Sequence, residues 1–378
     1  MGRSIHHPLG LIYKSRQGGY EGFTLITTIG GDHATLVDMA GRIVHRWHSN
    51  EGIVYAYLLT NGNLLCRTKP SKDEEIILGL GGCSASLIEL NFNSDVVWRY
   101  DDPMLHHDYV RLSNGNTVVL LFRPLSEDAT VSVKGGYITD GDPSQMLGDI
   151  IREVSPAGTT LREWDISEAL VTDEDIICPL EHRREWTQAN SLNLTPSGDF
   201  LVSFRNTSTV GIIDKESSAY VWKWGPGQIS HQHHATFLDN GNVLLFDNGS
   251  HSKGVERSRV IEVDPKSNQI KWEFTETPPV FFYSSHIGGA ERQPNGNTLV
   301  CEGAFGRIFE ITSDGEVVWE FVNPFHYPDE RTGGLTNMAF RAHKYGLESP
   351  VLRGMELDYN QYGDINAWYG ASNKKFGL

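Results

Sequence analysis

A chain of 378 residues with 39 glycines, 10% aromatic residues and a formal charge of −16 has room for two ordinary domains or one large all-β domain. The acidic balance disfavours nucleic acid and anionic membrane as partners, because both repel it, and leaves open a small-molecule substrate that answers to the local field of a pocket. Cys66, Cys83, Cys178 and Cys301 lack CxxC or zinc-ribbon spacing and read as buried free thiols. The opening MGRSIHHPLGLIYKSRQGGYEGF has no signal-peptide apolar run, and no window reaches membrane-span length. The expected location is therefore cytoplasmic, with no membrane partner; oligomeric state has no signature in the sequence.

Tryptophan sets the period. Trp47, Trp98, Trp164, Trp222, Trp272 and Trp319 each sit on a short alternating strand. Each is preceded by a strand carrying an acid: Asp38, Glu89, Glu153, Asp214, Glu262 and Glu310. Five of these hairpins follow another hairpin, turned at Asn61-Gly62-Asn63, Asn114-Gly115-Asn116, Ser197-Gly198-Asp199, Asn240-Gly241-Asn242 and Asn295-Gly296-Asn297. Asn-Gly supplies the positive φ that tight hairpin turns need, so each unit reads as a four-stranded antiparallel meander of roughly 45–65 residues. Four strands per repeat is a propeller blade, and the expected fold is an all-β, six-bladed β-propeller.

The blades are expected near 24–52, 53–103, 104–170, 186–230, 231–279 and 280–325, within one domain. The first has only three strands before Trp47, and TNMAFRAHKY (336–345) is a leftover strand. The N- and C-terminal segments are therefore expected to close one blade together, removing the exposed edges. Residues 346–378 are too few for another blade and read as a tail packed on the propeller. Two insertions, 125–148 and 168–185, interrupt the pattern; loops that long are either decoration or functional.

First strands of propeller blades line the central channel, so residues from different blades converge there. Counting seven back from each first turn gives Val54, His107, Asn190, His233 and Gly288; two further back are Gly52, Leu105, Gln188, His231 and His286. Without a bulge these share a face. His107, His233 and His286 thus project toward one opening with Asn190 and Gln188, and His106, Asp108, His231 and His234 are placed to orient them. Imidazoles suit proton transfer, covalent catalysis or metal binding near neutral pH. Arg205 and Asp247 with Asn248 lie on the second strands; Arg205 can return to the same end and offer its planar fork to an oxyanion, while Asp247 can contact substrate or anchor His233.

The strings HHDYVRLSNGNTVVL (106–120), QANSLNLTPSGDFLVSFRN (188–206), QHHATFLDNGNVLLFDNG (232–249) and ERQPNGNTLVCEGAFGRIFEIT (291–312) resemble the bacterial PAPS-independent arylsulfotransferase family. The resemblance implies a six-bladed propeller and transfer of a sulfuryl group from an aryl sulfate to a phenol through a covalent histidine, without a cofactor. His233, in Gln232-His233-His234-Ala235, matches the family's nucleophile; His107 and Arg205 match the groups implied to stabilise the sulfuryl oxygens. The family commonly has histidine where this chain has Gln188, so an amide replaces a chargeable donor, and His286 is the candidate substitute. Asn190, Gln188, His286, His106 and Asp247 complete the expected substrate contacts. Two other functions fit the same pattern. His107, His233 and His286 could ligate a divalent transition metal in a lyase, hydrolase or oxidoreductase, which elemental analysis distinguishes. A non-catalytic binding propeller would instead place its unusual residues on the blade faces, and here they gather on inner strands.

Overall fold

A computed structural model describes residues 9–70, 75–77, 79–139, 145–329 and 333–370. The five expected turns form with their glycines at positive φ, between 84° and 90°, where a side chain would be strained. In the four Asn-Gly-Asn turns the first Asn accepts the backbone N–H of the second at 3.0–3.1 Å. The second Asn then reaches across its own blade. Its Nδ2 donates to the strand-three glutamate at 2.5–2.7 Å: Asn63 to Glu89, Asn116 to Glu153, Asn242 to Glu262 and Asn297 to Glu310. In these four blades the strand-three glutamate is thus the acceptor that fixes the turn, a charge-assisted bond between the first and second hairpins, whereas Asp38 and Asp214 bond within their own outer turns. At Ser197-Gly198-Asp199 the pair is absent; Asp199 instead accepts the backbone N–H of Lys215 at 3.3 Å.

These hairpins combine into six antiparallel sheets in the ring of a six-bladed β-propeller. The chain divides into two compact units: one holds 1–69, 86–101 and 287–378, the other 70–85 and 102–286. In the first unit, blade one is Ala342–Gly346, Gly22–Thr27, His33–Val37 and Ile43–His48; blade two is Tyr55–Leu58, Leu64–Arg67, Ser86–Leu90 and Val96–Asp101. Blade six is Gly289–Arg292, Thr298–Glu302, Arg307–Ile311 and Val317–Val322. Blade one closes as expected, with the C-terminal strand on the N-terminal one in register from Gly22 opposite Gly346 to Ile26 opposite Ala342. An unexpected strand, Gly10–Lys14, pairs with the outer edge of blade six and covers it. The C-terminal tail packs on blade one: Asn366 Oδ1 accepts the Ile43 N–H at 2.8 Å, and Tyr369 donates its hydroxyl to the Gly41 carbonyl at 2.7 Å. Residues 371–378 of the expected tail lie outside the described residues.

The second unit contains blade three (Leu105–Arg111, Thr117–Pro124, Leu147–Val154, Thr160–Asp165), blade four (Ala189–Leu194, Phe200–Phe204, Thr209–Ile213, Tyr220–Trp224) and blade five (His233–Phe237, Val243–Asp247, Arg259–Asp264, Gln269–Phe274). Both insertions belong to it. The first forms a short helix, Glu127–Ser132, and a strand, Gly135–Tyr137, that pairs in parallel with Ile177–His182 of the second. No helix among the described residues is long and apolar enough to cross a membrane.

Within each unit periodic tryptophans join neighbouring blades, three of them by a hydrogen bond from the indole. Trp164 Nε1 donates to the Lys215 carbonyl at 2.6 Å, Trp222 Nε1 to Asn268 Oδ1 at 2.8 Å, and Trp319 Nε1 to the Met39 carbonyl at 3.1 Å. In each case the acceptor lies in the outer turn of the next blade, so one residue supplies apolar bulk between sheets and a directional bond at its rim. The glutamate contacts set a test: Glu262→Ala strands the Nδ2 groups of Asn240 and Asn242, now 2.9 and 2.6 Å from Oε1. Urea unfolding should show a loss of about 1–3 kcal/mol, and Glu262→Gln, which keeps an acceptor, a smaller one.

Candidate active site

First strands of blades three, four and five lie side by side, and buried polar bonds join them. Leu192 N–H donates to Asp108 Oδ2 at 2.8 Å, Ala235 N–H to Ser191 Oγ at 3.0 Å, and Asn190 Nδ2 to the Gln232 carbonyl at 2.8 Å. In these three blades the pairing of first and second strand is interrupted by a bulge: at His107–Asp108, at Asn190 and at His234–Ala235. The first-strand pairings of the other three blades are regular. The two-residue alternation expected from sequence therefore does not carry across this point. Bulges re-aim side chains and recur beside functional sites. Backbone strain gathers here as well: His107, Gln188, His231, His234 and His251 are five of the ten non-glycine residues at positive φ among the described residues.

His107 is buried, and its N–H donates to the Gly82 carbonyl at 2.8 Å. Its ring lies so close that a Cβ on Gly82 would meet it at 2.3 Å, so that loop must carry glycine. Nδ1 of His107 and Nδ1 of His106 share a hydrogen bond at 3.0 Å. His106 stacks on Phe122, and its Nε2 lies 3.3 Å from Asp149 Oδ1, at ion-pair distance though off the line of a hydrogen bond. The other Asp149 oxygen accepts from the Thr187 hydroxyl and, at 3.2 Å, from the Ala189 N–H. Burial outweighs those two bonds and pushes the Asp149 carboxyl up to about 6.

His233 is held differently. Its Nδ1 is 2.7 Å from Asn248 Oδ1 and 3.1 Å from the His231 carbonyl. Asn248 Nδ2 donates to the Ser284 carbonyl at 2.8 Å, which fixes the amide with its oxygen toward His233. Both partners of Nδ1 accept, so Nδ1 carries the proton and, in the neutral ring, Nε2 carries the lone pair. Neighbouring groups serve the scaffold: Gln232 Nε2 donates to Ser203 Oγ and to the carbonyls of Phe204 and Thr209. Asp247 accepts the Ser230 N–H on Oδ1 at 2.8 Å and pairs with Arg259 Nε through Oδ2 at 2.8 Å, so both its oxygens are engaged within blade five. His286 lies half-buried on the loop after blade five, Nδ1 on Ser285 Oγ at 2.9 Å.

Arg205 is fixed from three sides. Nη1 donates to Gln188 Oε1 at 3.2 Å and Asn206 Oδ1 at 3.1 Å, and Nη2 meets Glu181 Oε1 at 3.0 Å. Two of its five N–H bonds remain for an anion. Gln188, where the related family commonly has histidine, here aligns the guanidinium, and its Nε2 lies 3.4 Å from Glu185 Oε2. Burial by itself would raise the Glu181 carboxyl, but the bond to His231 and the charge of Arg205 outweigh it and hold the group down at about 2. The deeply buried Glu185 goes the other way: burial, reinforced by the charge of Asp149, pushes it up to about 8. A neutral acid, an ionised acid and an oriented arginine thus stand in one polar cluster, an arrangement that can hold an anion and manage a proton.

Asp149, Glu181, Glu185, His251 and the positioning role of Asn248 escape a count along first strands. Asp149 lies on a third strand, and Glu181 and Glu185 come from the second insertion, where only unusual loop length marked them.

A family model described as arylsulfotransferase (ASST) matches residues 93–324. No curated protein matches the chain significantly. Among solved structures, a protein of unknown function from Bacteroides caccae is 15% identical with a TM-score of 0.54, over 86% of this chain and 98% of that one. A functionally unknown protein from Desulfotomaculum acetoxidans is 9% identical with a TM-score of 0.48, over 86% and 99%. A catalytically inactive virginiamycin B lyase from Staphylococcus aureus, with quinupristin, is 12% identical with a TM-score of 0.42, over 79% and 86%. The first of these likenesses shows shared fold and nothing of function. The family match spans more than half of the 378 residues and all of blades three to five, and the chain belongs to the arylsulfotransferase family.

Proposed function

We propose that the protein transfers a sulfuryl group from an aryl sulfate to a phenolic acceptor, in the central channel, through a covalent intermediate on His233 and without a cofactor. The observation that carries this is the tautomer imposed by Asn248 and the His231 carbonyl, which puts the lone pair of the neutral His233 ring on Nε2, the nitrogen that acts as nucleophile. In the first half-reaction Nε2 bonds to sulfur while the sulfur–aryl oxygen bond breaks and the phenolate departs. In the second, the acceptor oxygen bonds to sulfur, the nitrogen–sulfur bond breaks, the phenol proton goes to water or a basic group of the site, and His233 is restored. Arg205, held by Gln188 and Glu181, and His107, held by His106 and Gly82, supply the fixed donors that the sulfuryl oxygens need. Asn190 and His286 flank the substrate.

Mixing enzyme with an aryl sulfate should release a burst of phenol near one equivalent and leave a labelled sulfuryl group on His233. His233→Ala should abolish both; a burst and adduct that persist in that variant would sink the assignment. Arg205→Ala should lower kcat by about 10²–10³-fold, in line with loss of one oxyanion donor. Arg205→Lys should recover only part of that, because an ammonium cannot reproduce the fork held between Gln188 and Glu181; steady-state kinetics with a chromogenic aryl sulfate measure both.

The buried acids predict a pH dependence of stability. Glu185 is raised from its usual 4.5 to about 8, so its contribution is fully present below about pH 4.5 and is lost as pH rises through about 8. Asp149, raised from 3.8 to about 6, acts in the same direction over the lower window. The thermal midpoint should fall between pH 6 and pH 9, and Glu185→Gln, uncharged throughout, should flatten that fall in calorimetric scans. An equal slope in wild type and variant would show that Glu185 is not the group responsible.

A further inference from the structure

Beside Arg205, on the rim formed by the second insertion and the loop after the second strand of blade five, four electron-pair donors converge. His251 Nδ1 lies 3.6 Å from Cys178 Sγ and 3.5 Å from Glu181 Oε1, and His231 Nε2 lies 3.1 Å from that same oxygen. The ligand atoms of Cys178, His231 and His251 all fall within 4.8 Å of one another.

The orientation of His231 gives this cluster its meaning. Its Nδ1 is 2.8 Å from the Ser250 carbonyl, an acceptor only, so Nδ1 holds the proton. Nε2, at the other end of this fully buried ring, points at Glu181 Oε1 from 3.1 Å but off the line of a hydrogen bond. A cation seated between them would use both as ligands. A ring N–H anchored on a carbonyl while the other nitrogen faces the ion is also how metal-bound histidines are oriented. His251 is set in place independently, its N–H donating to Glu256 Oε1 at 2.9 Å, and Glu256 is itself held by the Tyr283 hydroxyl at 2.6 Å.

We infer that Cys178, Glu181, His231 and His251 form a binding site for a divalent zinc ion. One thiolate, two imidazoles and a carboxylate are a donor set suited to zinc. With zinc–ligand bonds of about 2.0–2.3 Å, the edges of a tetrahedron are about 3.3–3.8 Å; three of the six donor separations, 3.1, 3.5 and 3.6 Å, already approach that, and those among Cys178, His231 and His251 stay within 4.8 Å. On binding, the Cys178 proton passes to solvent and zinc takes its place on sulfur. Thiolate and carboxylate together balance the charge of the ion, so the neighbouring Arg205 keeps its own. The site fixes Glu181, and through it the guanidinium; it does not rest on sulfuryl transfer and is tested without it.

The full-length protein, stripped with a chelator and dialysed, should take up one zinc ion per chain in competition with a chromophoric chelator. With cobalt in place of zinc it should show a thiolate-to-cobalt charge-transfer band. Cys178→Ser should lose the band, and Cys178→Ser and His251→Ala should each weaken zinc by more than the roughly 10–100-fold that loss of an outer-shell partner costs. His251 is exposed, so its substitution leaves the fold intact, as circular dichroism would check. Absence of stoichiometric uptake by the wild type would leave an imidazolium–carboxylate pair at His231 and overturn the site, as would uptake unchanged in both variants.

Discussion

An imidazole taken out of water must find a partner for each ring nitrogen or forfeit the hydrogen bonds it had there. Blades three to five bury His106, His107, His231, His233 and His234 along adjoining inner strands, and much of the local architecture answers that demand. Carbonyls and an amide take the Nδ1 atoms of His231 and His233, and a carboxylate stands beside His106. Satisfaction on one nitrogen decides the protonation of the other, so a packing requirement becomes a chemical specification.

Such specification needs a platform that does not drift. The strand-three glutamates bind the Asn-Gly-Asn turns within blades, and the tryptophan N–H groups bind outer turns between blades. Both devices lie away from the strained inner strands. Positive φ at His107, Gln188, His231 and His234 costs of order 1–3 kcal/mol each and persists only where surrounding contacts over-determine it. The rigid periphery and the strained interior are parts of one arrangement.

The periodic features of the fold were legible because they are local. Asn-Gly turns, alternating strands and tryptophan spacing each act within a few residues, and from them the four-stranded blades and the closure of blade one follow; the role of the strand-three glutamates, acceptors for turns two strands away, becomes plain only in three dimensions. The candidate site was legible in part. His107, Asn190 and His233 could be found by register, and Gln188 and Arg205 by their strings, but their orientations could not, since bulges at His107–Asp108, Asn190 and His234–Ala235 leave no mark in an alternating pattern. Glu181, Glu185 and Cys178 were beyond reach for another reason: they arrive on an insertion whose docking depends on a parallel pairing with Gly135–Tyr137 that no local signal announces. Gln188 looked like the loss of a charged donor; in the structure it is a ligand to Arg205.

The proposed reaction asks a protein of net charge −16 to attract an anionic aryl sulfate against its own average field. Screening confines that field to about 8–10 Å in physiological salt, so the balance is decided by groups near the substrate. Of the three acids around Arg205, Glu185 is kept neutral by burial up to about pH 8, Glu181 is spent on the guanidinium and His231, and Asp149 faces His106. Zinc at Cys178, Glu181, His231 and His251 would take up the remaining negative charge of that cluster and leave Arg205 as an uncompensated cation. The same insertion that adds acids to the rim thus also carries the means to cancel them, and the polarity felt by an anion depends on which cation, proton or metal, occupies it.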